Sequence, residues 1–284
     1  LTFKIAQTPE YKELQRQTVK NCVRFAEQIK ANGFKIPFGG TESHLFNLDC
    51  KSVVGPDGTP LMGDFAARIL DIAGVVVNRN TIPGDKSALN PSGLRLGTPW
   101  ITQRGFKEEH IDKLAAYIAQ VLKACQPYSY SGRKGNLYRA KVDFDALNDA
   151  KMKIRDLSQS VGIDFTPTKH GYPHFYYIDE PAPEGTTAIE IEGEHAEEFL
   201  YWATSSDVYA LKDGESHGTE IYVAGASRMG TLTRVDRRHF LLTVPPASAT
   251  VVKTWLRDLS DGYVAFDWDL YRKLPGPVIV RDGK

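Results

Sequence analysis

The sequence predicts an α+β fold made of two successive layer domains. Long segments place apolar residues at three- and four-residue steps, the period of an amphipathic helix, and shorter segments between them alternate apolar and polar residues, as half-buried strands do. Helical and strand patterns follow one another along the whole chain, and no internal repeat is visible. At 284 residues the chain is long enough for about two domains.

The first part of the chain shows a helix, a strand pair, a helix, two strands and a helix. Thr8 before Pro9 is typical of an N-cap followed by proline at the first helical position, and Gly33 is typical of the residue after a helix end. The predicted helices cover residues 9–31, 63–73 and 107–125, and the predicted strands cover 34–38, 44–50, 75–77 and 94–96. This order predicts a small sheet covered by helices.

The composition changes in the middle of the chain. Residues 126–136 mix Gly, Ser and basic residues without a period, which predicts a linker or an extended arm with Arg133 and Lys134 in solvent. A helix is predicted over 144–161 and a loop over 167–173.

The last part of the chain again mixes strands and helices. The predicted strands cover residues 188–191, 207–210, 220–224, 230–235 and 239–244 with a short one after Pro277, and the predicted helices cover 194–202 and 248–259. The resulting domain division is a first domain over 1–126, a linker with a connecting helix over 127–174, and a second α+β domain over 175–284.

Composition excludes several classes of function. The formal net charge is zero, so we expect no nucleic-acid partner and no anionic membrane surface. No apolar run approaches the roughly 18 residues that span a bilayer, and no secretory signal is visible. Cys22, Cys50 and Cys125 are far apart without a C-x-x-C pair, so we expect no disulfide framework and no metal site in a reducing cytoplasm. Because the chain begins at Leu1 without a methionine, we expect a fragment of a longer protein.

One short strand carries a candidate binding residue. Leu94 and Leu96 would face one side of a sheet and Arg95 the other, with Gly93 and Gly97 allowing close approach of backbone or ligand at both ends. A guanidinium on a rigid strand suits bidentate capture of a carboxylate or phosphate. The alternative, more common for a lone arginine, is a structural ion pair at the surface.

Four segments around this strand resemble one enzyme family. Residues 39–45 read GGTESHL, 78–83 read NRNTIP, 92–99 read SGLRLGTP and 102–106 read TQRGF. In this order and spacing they resemble the C-terminal small domain of serine hydroxymethyltransferase, a fold-type I pyridoxal phosphate enzyme. The resemblance covers about residues 1–125 and implies an enzyme that interconverts serine and glycine with tetrahydrofolate.

The resemblance also implies roles for single residues. It assigns Arg95 to the substrate carboxylate and Asn80 to the neighbourhood of the folate pterin, and it assigns no catalytic residue within this chain. Arg104 matches a second family arginine of structural or catalytic role, and we expect His44 to be a hydrogen-bonded structural residue. Lys169 follows the arginine segment in a loop and does not match the cofactor lysine.

Further partners follow from the same resemblance. The family's cofactor lysine, phosphate cradle and acidic partner lie upstream on a large domain, so pyridoxal phosphate is expected in the full-length protein and this chain alone is expected to be inactive. The implied partners are serine, glycine, tetrahydrofolate and the absent N-terminal large domain, and the family's paired subunits favour a homodimer.

Residues 175–270 show a more distant resemblance. Segments 187–200, 206–215 and 240–256 are similar to parts of the glycine cleavage T-protein, an aminomethyltransferase with a folate-binding fold. The segment 229–234 has no carboxylate where that family has an Asp pair, so we expect no aminomethyl transfer, and Asp207 is expected to be a turn or capping residue. The alternative function for the chain is therefore a non-catalytic folate-binding or assembly module.

Overall fold

The computed structural model describes residues 1–133, 135–162 and 187–283. It divides into two compact units, Leu1–Asp164 and Phe165–Lys284. The predicted loop over 167–173, with Lys169 and His170, lies outside the described residues, and so does Lys134.

The first unit contains the predicted helices in their predicted order. Its described helices are α1 (Thr2–Ala6), α2 (Pro9–Ala31), α3 (Gly63–Ile72), α4 (Pro99–Gln103), α5 (Glu108–Lys123) and α6 (Phe144–Ser160). The predicted start and end of α2 are confirmed, because the Thr8 side chain accepts the Tyr11 N–H and Gly33 adopts a φ of 92°.

Three short antiparallel strands form the sheet of this unit. They are β1 (Leu45–Asp49), β2 (Asn78–Asn80) and β3 (Gly93–Gly97), in the spatial order β1-β3-β2. One face of the sheet is apolar and packs on helices: Phe46 on β1 meets Phe25 on α2 edge to face, with ring centroids 5.3 Å apart. Leu94 and Leu96 are buried on this same side, as their alternation predicts.

Two predicted strands are wrong. Residues 34–38 make a single bridge, from Lys35 to Asp49, because Pro37 begins a 3₁₀ turn and Phe38 adopts a φ of 68°, which a strand does not allow. Residues 75–77 are not a strand either, and Val76 is 77% exposed. The strand begins at Asn78, where pairing with Arg95 of β3 starts.

The predicted linker is also wrong in its local structure. Most of residues 126–136 lies in an antiparallel hairpin of β4 (Cys125–Gly132) and β5 (Gly135–Val142). Its first strand is attached to the loop after β1, because the Ser129 N–H donates to Asp57 and the Thr59 hydroxyl donates to Ser129 Oγ at 2.9 Å. The hairpin and α6 thus lie within the first unit, and Arg133 at its turn is exposed as predicted. The domain limits at 126 and 174 stay a prediction.

The described part of the second unit is an antiparallel sheet with two helices. Its strands are β6 (Thr187–Glu192), β7 (Ser216–Val223), β8 (Ala226–Asp236), β9 (His239–Val244) and β10 (Ile279–Asp282), in the order β10-β6-β9-β8-β7. Its helices are α7 (Ala196–Ala203) and α8 (Pro246–Asp261), and α8 contacts β6, β7 and β10. The alternation of β6 and β9 buries Ile189, Ile191 and Phe240 on one face.

The predicted strand over 207–210 is wrong. The Ala210 N–H donates to the Asp207 carbonyl, which closes a turn, and the edge of the sheet is formed by β7, which is longer than predicted. Asp207 is exposed in this turn, in agreement with its expected turn role.

The three cysteines are free and buried, as the absence of a paired spacing predicts. Burial raises the pKa of Cys22 to about 11 and that of Cys125 to about 12, so these thiols remain protonated and inert. None of the helices in the described ranges is both long and apolar enough to cross a membrane.

We expect Gly55→Ala to destabilise the first unit, because the new Cβ would overlap with the carbonyl oxygen of Pro127 on β4. The predicted loss is about 1–3 kcal/mol, the usual cost of overpacking a tight contact. Hydrogen exchange followed by mass spectrometry on peptides from β4 and β5 would measure it.

The matched control for this change is Gly40→Ala. Gly40 has an extended φ of 168° and no heavy atom within 4 Å of the new Cβ. The substitution therefore lowers the conformational entropy of the unfolded chain as Gly55→Ala does, but it causes no overlap in the folded chain. Equal exchange rates in the two variants would show that the hairpin does not depend on this contact.

Candidate functional site

The polar face of the three-stranded sheet is the candidate site. Arg95 lies at the centre of β3, directly opposite Asn47 of β1 on one side and Asn78 of β2 on the other. Residues paired in this way project from the same face with Cβ atoms about 4.5–5.5 Å apart. The register therefore assembles a row of amide, guanidinium and amide from three distant parts of the chain.

Two groups in this row have no partner among the described residues. Arg95 is exposed, and within the described residues its guanidinium forms no hydrogen bond or ion pair. The Asn47 Oδ1 atom is shielded from water and has no hydrogen-bond partner, which is costly for a buried polar atom. A ligand that carries both a carboxylate and a hydrogen-bond donor would satisfy both groups.

Asn80 lies on the same face, opposite Gly93. Its Nδ2 donates to the Thr81 carbonyl at 2.8 Å, so the side chain is held at the end of β2. The expected close approach at Gly93 is made by the protein itself, because a Cβ there would overlap with the Ile82 side chain. The loop after β2 therefore covers one end of the polar face.

A buried aspartate organises this loop. Asp85 accepts the Ile82 N–H at 3.0 Å, the Ser92 N–H at 2.9 Å and the Ser92 hydroxyl at 2.5 Å. Lys51 donates to Ser92 Oγ and lies 4.0 Å from Asp85. Burial alone would raise the pKa of Asp85, but the bonds from Ser92 and Ile82 outweigh it and hold the pKa below the usual value. This carboxylate fixes both ends of the connection between β2 and β3.

The other two predicted residues, Arg104 and His44, lie outside the strands of the sheet. Arg104 follows α4 as its C-cap, is exposed, and has no ion pair within the described residues. His44 accepts the Thr98 N–H through its backbone carbonyl at 3.0 Å. Its exposed ring makes no hydrogen bond in the described part of the chain, and the structural role expected for His44 stays a prediction.

The interior of the unit holds the site-bearing segments in place. The buried Asn21 side chain of α2 donates to Thr102 Oγ1 and to the Phe106 carbonyl, both at 2.9 Å. The Thr98 hydroxyl donates to the Thr18 carbonyl at 2.7 Å. These bonds attach α2 to both ends of α4, so the chain after Arg95 leaves the sheet along a fixed path.

The face is chemically suited to a carboxylate and offers no attachment group for pyridoxal phosphate among the described strand residues. The cofactor needs a lysine for attachment, and among the described residues of β1, β2 and β3 on this face there is none. An arginine flanked by amides instead offers charge-assisted, bidentate hydrogen bonds to a carboxylate.

Part of the first unit is similar in sequence to known proteins. Residues 1–118 match the serine hydroxymethyltransferase family model. Serine hydroxymethyltransferase of Bombyx mori is 41% identical over 160 residues, 56% of this chain and 33% of the relative. The mitochondrial serine hydroxymethyltransferase of Candida glabrata is 44% identical over 163 residues, 57% and 32% of the two chains. A probable cytosolic one from Schizosaccharomyces pombe is 43% identical over 122 residues, 43% and 25%.

The chain spans about a third of the length of the first of these serine hydroxymethyltransferases. The matched family region includes all three strands of the sheet and ends within α5. Arg95, Asn47 and Asn78 therefore all lie inside the region that matches this family model.

Sequence reasoning predicts Arg95 as the candidate residue and does not include Asn47, which lies opposite it. The alternation of Leu94, Arg95 and Leu96 is a local signal that one strand carries by itself. Asn47 interrupts an otherwise apolar strand, which is a weak signal. Its position opposite Arg95 depends on the pairing register of β1 with β3, and no local pattern contains that information.

We expect Asp85→Asn to destabilise the connection between β2 and β3 at neutral pH by about 1.5–3 kcal/mol, the usual range for hydrogen bonds to a charged group. Because the folded-state pKa is lowered, ionised Asp85 stabilises the fold above its ordinary pKa of 3.8, and this contribution disappears as pH falls through the lower folded-state pKa. Hydrogen exchange of the peptide over residues 78–97, measured from pH 7 downward where the fold persists, should show the two proteins converging.

The control is Glu42→Gln, which removes an equal charge from an exposed carboxylate with no partner in the described residues. A constant difference between wild type and Asp85→Asn at all pH values would contradict a role for the ionised carboxylate.

Proposed function

We propose that this chain is the substrate-carboxylate half of a glycine hydroxymethyltransferase, a transferase of one-carbon metabolism that interconverts serine and glycine with tetrahydrofolate. The observation that carries the proposal is the Arg95 guanidinium, which lies between two asparagines without a partner among the described residues, inside the region that matches the family model. Because the chain spans about a third of its relatives, the activity is proposed for the longer protein and not for this chain alone.

The proposed role of Arg95 is to bind and orient the amino-acid carboxylate. Its strand is paired on both sides, so the guanidinium starts from a rigid backbone and loses little freedom when substrate binds. Asn80, fixed at the end of β2, is the proposed contact to folate. Holding both substrates on one sheet face would orient the reacting groups before chemistry begins.

Pyridoxal phosphate, when bound, supplies the electron sink for bond cleavage at the amino-acid α-carbon. We propose that its attachment lysine belongs to a large domain outside this chain, so that the cofactor meets the Arg95 face only in the longer protein. A homodimer and a cytoplasmic location remain part of the proposal, and relatives carry both cytosolic and mitochondrial names.

A second candidate is a folate-binding or assembly module without catalysis. The compact unit Phe165–Lys284, separate from the family-matched residues 1–118, is the observation that favours it. Its resemblance to part of the aminomethyltransferase fold stays a prediction. Calorimetric titration of the 284-residue chain with tetrahydrofolate distinguishes the candidates: heat of binding without pyridoxal phosphate supports the module, and its absence supports a folate site shared with a large domain.

We expect Arg95→Gln in the longer enzyme to weaken serine binding on the order of 100-fold, because removing one side of a charged hydrogen-bonded pair costs about 2–5 kcal/mol. Arg95→Lys should give a smaller loss, since it keeps the charge but not the bidentate geometry. Equilibrium titration with serine measures both effects.

Stability separates a binding role from a structural one. Arg95 is exposed and has no partner within the described residues, so Arg95→Gln should change the stability of the chain by no more than about 0.5 kcal/mol. Arg16→Gln, on the exposed side of α2 with an ion pair to Glu13, is the control for serine affinity. Unchanged serine binding in Arg95→Gln would refute the carboxylate assignment.

A further inference from the structure

A second polar cluster lies on the sheet of the second unit. Glu190 and Glu192 project from β6, His239 from β9 and Arg281 from β10. The register places Glu192 opposite His239 and Glu190 opposite Arg281. Ile189 and Ile191 point to the buried face, so the alternation of β6 gathers these four charged or titratable side chains on the other face.

Each of the two carboxylates directs one oxygen at Arg281 and the other at His239. Arg281 binds Oε2 of Glu190 and, at 2.8 Å, Oε2 of Glu192. The Oε1 atoms of both carboxylates instead turn toward His239 Nε2, at 2.8 Å for Glu190 and 3.9 Å for Glu192. Arg281 thus fixes the orientation of both carboxylates while it leaves one oxygen of each directed at the imidazole.

The imidazole nitrogen lies beside both carboxylates. His239 Nε2 is shielded from water, and the Oε1 atoms of Glu190 and Glu192 are its neighbours. The three atoms, two oxygens and one nitrogen, all lie within 4.8 Å of one another.

We propose that Glu190, Glu192 and His239 form a binding site for a divalent transition-metal ion such as Zn²⁺. One imidazole and two carboxylates are ligands that zinc accepts, with bonds of about 2.0–2.2 Å. Ligand atoms in such a tetrahedral site lie about 3.3 Å apart, a separation that falls between the two distances from His239 Nε2. With three protein ligands, a fourth position faces solvent or a small anionic ligand.

Charge also favours a cation at this place. The two carboxylates and Arg281 carry a net charge of −1, and Glu194 is matched by Arg238 at 3.3 Å. The ion pairs from Arg281 hold the Glu190 and Glu192 carboxylates in place. Arg281 then acts as an outer partner that orients the ligands, a common arrangement around bound metals.

The test is titration of the full 284-residue chain, without a histidine tag, with Co²⁺ followed by its visible spectrum and with Zn²⁺ followed by calorimetry. We expect one ion per chain and a cobalt spectrum typical of four-coordinate N/O ligation. His239→Gln should lower the affinity at least tenfold, and Glu192→Gln, which leaves the imidazole intact, should also lower it tenfold or more.

A matched control is available in the same unit. His217 lies 3.3 Å from Glu215 and is half exposed, without a second carboxylate near it in the described residues. His217→Gln should bind the metal as the wild type does. Absence of saturable binding in the wild type, or equal affinity in His239→Gln and His217→Gln, would overturn the site and leave the cluster as an ion-pair network. Circular dichroism confirms that each variant is folded.

Discussion

The double pairing of β3 is the constraint on which the first unit depends. With neighbours on both sides, its register is fixed, and the period of two then decides which residues are buried. Leu94 and Leu96 complete the apolar face of the sheet, which α2 and α3 contact, and Arg95 must face the other way. A slip of one residue would bury the guanidinium and expose both leucines. The register that stabilises the core therefore also directs Arg95 to the polar face.

Rigid support reaches this strand from its two ends. Asp85 draws the loop before β3 together through three hydrogen bonds, and Thr98 attaches the segment after it to α2. A binding group is more effective when the backbone around it is already ordered, because substrate then does not have to order it. The hydrogen bonds of Asp85 stabilise the fold and also keep the backbone before β3 ordered, which supports the proposed binding function.

Local signals predicted the helices well and the strands unevenly. The Thr8 cap, Pro9 and Gly33 define α2 without help from the rest of the chain. Residues 75–77 are apolar and β-branched but pair with no strand in the described part of the chain. The polar residues 78–80 form the strand because they pair with β3. The hairpin over residues 125–142 was predicted as a linker because its contact with Asp57 joins residues 72 positions apart. Arg95 was predictable from its own strand, but its position beside Asn47 was not.

The cluster in the second unit also depends on strand register, which the sequence does not display. The sequence predicts no metal site because its three cysteines are far apart without a C-x-x-C pair. Glu190 and Glu192 are neighbours on one strand face, but His239 reaches them only because β6 and β9 pair in a particular register. In an antiparallel sheet, alternation selects which side chains share a face, and register selects which of them meet. The alternation can be seen in the sequence of a single strand. The register is defined only when two strands are paired in the folded protein.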